Sequence, residues 1–94
     1  MIEPARALNG ERTGHICDSC NARVRTGDKV RGYATWYNGD GWVLRRLWCT
    51  DCGGTEITEG TEGADEVVFE AVLWEHRLAG VDVRDRSRPE ECDA

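Results

Sequence analysis

Five cysteines punctuate the 94 residues: Cys17, Cys20, Cys49, Cys52 and Cys92. Four of them form two Cys-x-x-Cys pairs, Cys17-Asp18-Ser19-Cys20 and Cys49-Thr50-Asp51-Cys52. A closed structural metal site wants four thiolates at tetrahedral corners, about 2.3 Å from a zinc ion. Two residues between ligands let one tight turn present both sulfurs from one side. Two such turns facing each other close the tetrahedron. Asn21 follows the first pair and Gly53-Gly54 the second, and these residue types tolerate the positive φ that such turns need. Other chemistries of cysteine fit less well. A disulfide framework wants an oxidising compartment, and the N-terminal Met1–Arg6 has no apolar core for an export signal. A thioredoxin-like redox pair wants one Cys-x-x-Cys beside a βαβ pattern. Iron bound by the same four thiolates remains open on sequence alone. Cys92, in a polar tail, is unassigned, with a redox or dimerising thiol as the alternative to no role.

The elements that must position these turns read as strands. Twenty-eight residues separate Cys20 from Cys49, more than the roughly 15–20 of the usual paired pattern, so a long excursion joins the two pairs. Residues 30–37 (VRGYATWY) and 42–48 (WVLRRLW) are rich in aromatic and β-branched types, and Asn38-Gly39-Asp40-Gly41 between them is a strong hairpin signal. The second of these strands runs straight into Cys49. Alternation sends Trp36 to one face and Tyr33, Thr35 and Tyr37 to the other. Farther on, residues 66–74 (EVVFEAVLW) and 78–84 (LAGVDVR) read as a second hairpin around Glu75-His76-Arg77, packing one face on the first; a helix over 65–79 is the alternative. The chain divides into an N-terminal arm (1–14), the cysteine module (15–54), a Gly/Thr/Glu loop (55–65), a C-terminal β-hairpin (66–86) and a tail (87–94). A domain this small rarely gains more than about 3–5 kcal/mol from its apolar core, whereas structural zinc contributes an apparent ~10–16 kcal/mol to folding. Chelation is therefore expected to unfold at least residues 15–54.

The arrangement CDSCN … WCTDCGG resembles the zinc ribbon, a family of small β modules built on rubredoxin knuckles, over residues 15–54. The resemblance implies a small all-β, metal-stabilised fold: a ribbon-like hairpin with two knuckles plus the C-terminal hairpin. It implies that Cys17, Cys20, Cys49 and Cys52 hold one structural Zn²⁺. Zinc ribbons serve transcription, translation, ribosome assembly and protein docking, so the resemblance is specific for metal and silent on partner. The first knuckle departs from the pattern in ending on Asn21 rather than Gly, and the hairpin between the knuckles is long. The whole chain also resembles small zinc-binding proteins of haloarchaea and their viruses. Eleven of its 12 basic residues are Arg, and 18 acidic residues outnumber them, as in proteins kept soluble in molar salt by excess carboxylate.

Composition excludes some functions and ranks others. A net charge of −6 is not that of a simple polyanion binder, and no apolar run is long enough to span a membrane. A cytoplasmic protein without a small-molecule substrate is expected. Four cysteines would fill a metal's coordination, leaving no open position for catalysis. His15 and His76 match no catalytic pattern, so the chain is read as a non-enzyme. Charge is uneven: residues 21–52 carry six basic and three acidic residues, residues 53–94 four basic and twelve acidic. Arg23, Arg25, Arg31, Arg45 and Arg46 interleave with Tyr33, Tyr37 and Trp42, as phosphate- and base-binding residues do on single-stranded nucleic acid. At molar salt the screening length is only about 3 Å, which disfavours such binding and leaves hydrophobic contact in force. The first expectation is thus a protein-interaction or assembly module, the second a nucleic-acid-binding protein of transcription or translation. A protein partner requires an exposed apolar patch near Trp42, Trp74 or Phe69. A nucleic acid requires Arg25, Arg31, Arg45 and Arg46 to share an exposed face with Tyr33 or Tyr37.

Overall fold

The computed structural model describes residues 3–52, 57 and 64–87. A short helix, α1 (Pro4–Leu8), precedes four strands: β1 (Lys29–Tyr37), β2 (Gly41–Cys49), β3 (Glu66–Trp74) and β4 (Arg77–Ser87). The strands form one antiparallel sheet in the order β2-β1-β3-β4. The protein is a small all-β domain with four of its cysteines gathered at one place. Cys92, Gly53-Gly54 and most of the 55–65 loop and the 87–94 tail lie outside the described residues.

The β1–β2 hairpin turns where Asn38-Gly39-Asp40-Gly41 asks it to. Gly39 and Gly41 take φ of 95° and 80°, a region costly for any residue with a β-carbon. Residues 66–74 are a strand and not a helix. Val67, Phe69, Ala71 and Leu73 alternate into the core, a period of two that a helix cannot present. The second hairpin departs from the expected face-on packing. β3 pairs along the free side of β1, from Lys29 opposite Val72 to Thr35 opposite Glu66. One cross-strand pair shows why this docking is close: Gly32 faces Phe69, and a β-carbon on Gly32 would run into the Phe69 ring.

One face of the sheet makes the core. Val30, Ala34, Trp42, Leu47, Val67, Phe69, Ala71, Leu73 and Leu78 pack there, covered by Leu8 and Val24. Leu8 belongs to α1, which begins on Pro4, a residue suited to a helix's first turn. Helix α1 packs against both outer strands, β4 and β2, so the sheet must curl around it. Beyond α1 the chain lies along the outer edge of β4. The Gly10 N–H donates to Leu78 O (2.7 Å), the Leu78 N–H to Glu11 O (2.9 Å), and the Thr13 N–H to His76 O (2.8 Å). The segment read as an arm is, over these residues, part of the fold.

The end of the sheet farthest from the cysteines is tied by aromatic and charged groups. Trp36 and Trp42 meet edge to face, 5.7 Å between centroids. The Arg86 guanidinium lies over the Trp42 ring at 5.5 Å. It also donates from Nε (3.0 Å) and Nη2 (2.8 Å) to the two carboxylate oxygens of Asp65, which is 4% exposed.

Candidate metal centre

Three chain segments deliver the four sulfurs. The Cys17–Cys20 turn is held by backbone bonds from Asn21 N–H to Cys17 O (3.0 Å) and from Cys17 N–H to Ala22 O (2.9 Å). Asn21 takes φ of 63°, the positive value its position calls for, which Asn adopts more readily than most residues. The Ser19 N–H reaches back to Cys17 Sγ at 3.4 Å. Strand β2 ends on Cys49, opposite Val30. The following turn brings Cys52 back, its N–H on Cys49 O at 3.1 Å. Asp18 joins the two turns. Its N–H donates to Leu47 O (2.8 Å) and its carboxylate accepts the Leu47 N–H (2.7 Å). The first knuckle is therefore pinned to β2 two residues before Cys49.

The four sulfurs lie within 4.8 Å of one another. Sulfurs about 2.3 Å from a central ion at tetrahedral corners stand about 3.8 Å apart, and Cys20 Sγ and Cys49 Sγ are 3.8 Å apart. All four thiols are free. The cluster could hold one metal ion. Its electrostatics suit a cation. Burial pushes the Cys17 thiol up, but hydrogen bonds from the backbone of Cys20, Cys49 and Ser19 outweigh it and bring the thiol down to about 6. Hydrogen bonds with Cys20 and Cys49 push Cys52 the other way, up to about 12. Four thiols this close lose protons as a group, the last with difficulty. A divalent ion removes that difficulty by supplying the positive charge.

Neither histidine joins the cluster. His15 Nδ1 donates to Val24 O at 3.1 Å, which leaves Nε2 to accept from His76 Nδ1 at 3.0 Å. The pair buttresses the first knuckle against the β3–β4 turn. Sequence reasoning missed this contact and the Asp18 clamp. The position of Asp18 inside a Cys-x-x-Cys turn was the one available signal.

The remaining candidate residues divide. Arg31, Tyr33, Tyr37 and Arg46 occupy the face of β1–β2 turned from the core, with Arg45 beside them. Arg23 and Arg25 are exposed but lie outside the sheet, on the segment leaving the first knuckle. Trp42 is 7% exposed and belongs to the core under Arg86, so it is not part of an exposed partner face. Its place opposite Trp36, directly after the turn glycine Gly41, turns it inward.

No helix among the described residues is long and apolar enough to cross a membrane. No curated protein and no solved structure matches the chain significantly. A family described as Domain of unknown function (DUF8112) matches residues 3–77. The match takes in α1, both cysteine pairs and the first three strands, and the chain belongs to this DUF8112 family.

Proposed function

We propose that the chain is a small structural-zinc protein of the zinc-ribbon type whose work is binding, not catalysis. The carrying observation is the gathering of four free thiols within 4.8 Å, at the point where the first knuckle meets the end of β2. Four thiolates complete a tetrahedral shell and leave no position for a reacting water or substrate. Zinc in such a site ties together segments that bury little between them. Elemental analysis of the purified chain tests this. One zinc per chain, lost on Cys49→Ser together with the fold, is expected. A chain coloured by one iron would replace zinc with a rubredoxin-like centre. A folded, metal-free chain would sink the proposal.

The partner is a protein or a nucleic acid. The acidic, Lys-poor composition suits a cytosol of high salt and favours the first. The apolar patch that reading requires is thin: Trp42 and Phe69 are 7% and 0% exposed, and Trp74 alone of the three, at 59%, faces solvent. The second reading has more geometry behind it, because Arg45, Arg46 and Tyr37 are exposed together.

A further inference from the structure

We propose that the outer half of the sheet's second face, on β1 and β2, binds single-stranded nucleic acid, with Arg45 and Arg46 on phosphates and Tyr37 stacked on a base. The proposal rests on the binding-module reading above and names its partner.

A bulge makes the site. The β1–β2 register runs from Tyr33 opposite Arg46 to Ala34 opposite Leu44, so Arg45 is an extra residue in β2. Strict alternation would send one of two adjacent arginines to the core face, where Leu44 and Leu47 pack. The bulge re-aims the strand and leaves both exposed. Arg45 then donates from Nη1 to the Tyr37 hydroxyl at 2.6 Å, with its guanidinium 6.0 Å from the ring centroid. That bond holds a ring that is 40% exposed. Half-buried Tyr33 and Trp48 share the face.

Charge divides the same face. Neither β1 nor β2 contains an acidic residue, while Lys29, Arg31, Arg45 and Arg46 lie on them. The other two strands contribute Glu66, Glu70, Asp82 and Asp85 in register with this face. Glu70 offsets Arg31 through a 3.0 Å bond, and Ile57 donates its N–H to Asp85. Asp82 is likewise offset, by Arg84 at 3.0 Å, and Glu66 is buried, so a polyanion is drawn to the β2 side, where Arg45 and Arg46 are exposed with no carboxylate on either strand. An acidic peptide added as a strand on β2 fits less well, because a bulge and paired cations blunt an edge against strand pairing. Stacking on Tyr37 needs an unpaired base, which a duplex does not offer.

The test uses the zinc-loaded full chain and fluorescence anisotropy with labelled oligo-dT and oligo-U of about 15 nucleotides, a duplex of equal length and a poly-glutamate peptide. Two neutralised phosphates predict that affinity falls about 25-fold per tenfold rise in salt. Arg45→Ala with Arg46→Ala should weaken binding at least tenfold and flatten that dependence. Tyr37→Ala should weaken it roughly tenfold and leave the salt dependence alone, and Tyr37→Phe, which keeps the stacking ring and loses only the bond from Arg45, should recover most of that loss. If the Ala pair does not fold, Arg45→Gln with Arg46→Gln replaces it. Zinc content and melting temperature are measured on every sample. Folded, zinc-loaded protein that ignores both oligonucleotides overturns this proposal alone. Binding unchanged by the arginine substitutions, or poly-glutamate competing as well as oligo-dT, overturns it too. Protein without zinc and without a fold overturns the reading beneath it.

Discussion

The two ends of the sheet are held by opposite means. At the cysteine end, Cys20 and Cys52 are exposed, and two large apolar side chains, Ile16 beside Cys17 and Trp74 at the end of β3, face solvent. At the other end two tryptophans, a cation over a ring and a buried two-pronged ion pair lock β1, β2 and β4 together. On the proposed reading one end depends on a metal ion that can leave; the other depends on groups that the chain carries. The difference shows how a short chain distributes its apolar residues. It runs its apolar residues the length of one core, with Val30, Leu47, Leu73 and Leu78 reaching the cysteine end, and closes the two cysteine turns themselves with thiols and backbone bonds.

Removing metal should have the largest effect and is the way to break the comparison. The ~10–16 kcal/mol that structural zinc contributes matches or exceeds the roughly 5–15 kcal/mol that holds most domains folded. Because β1 and β2 run from one end to the other, chelation should unfold both. Hydrogen exchange checks this at two amides, Leu47 on Asp18 at the knuckle end and Trp36 on Asp65 O (2.9 Å) at the far end. Both should exchange together. A Trp36 amide that stays protected while Leu47 exchanges would make the ends separate folding units.

Smaller substitutions sharpen the contrast. Asp65→Ala removes the two-pronged carboxylate from a largely buried guanidinium and should cost about 3 kcal/mol in urea denaturation, with zinc still bound. Asp18→Ala removes a carboxylate that caps the Leu47 amide. It should cost about 1–2 kcal/mol, and it should weaken metal binding about tenfold in a competition with a chromophoric chelator, because the knuckle loses its anchor. Equal loss of metal affinity from Asp65→Ala and Asp18→Ala would erase the distinction between the ends. Trp74→Ser, at an exposed position outside both locks, should change the unfolding free energy in urea by no more than about 0.5 kcal/mol.

Local pattern made the sheet legible. The Asn38–Gly41 turn, the aromatic strands on either side and the cysteine spacing all act over a few residues, where sequence speaks clearly. Residues 66–74 were ambiguous because Glu, Ala and Leu suit a helix as well; Phe69 lying over Gly32 decides for a strand, and that contact joins distant segments. Helix α1 has five residues, too few to show a helical period. The Asp18 clamp, the His15–His76 pair and the Asp65–Arg86 pair are long-range meetings of polar residues, each unremarkable alone. Trp42 illustrates the converse error: an aromatic beside arginines in sequence is separated from them by the thickness of the sheet.

The N-terminal segment that lies along β4 also sets an order of events during synthesis. His15 meets a residue 61 positions later, and Gly10 and Glu11 bond to Leu78. During synthesis all four cluster cysteines and the β2 surface for α1 are made before β4, but residues 10–13 have no strand edge to pair with until β4 emerges. Contacts so distant in sequence form slowly. Residues 10–13 therefore complete their pairing only after β4 is made, and until they do the edge of β4 that they cover is open to whatever meets the nascent chain.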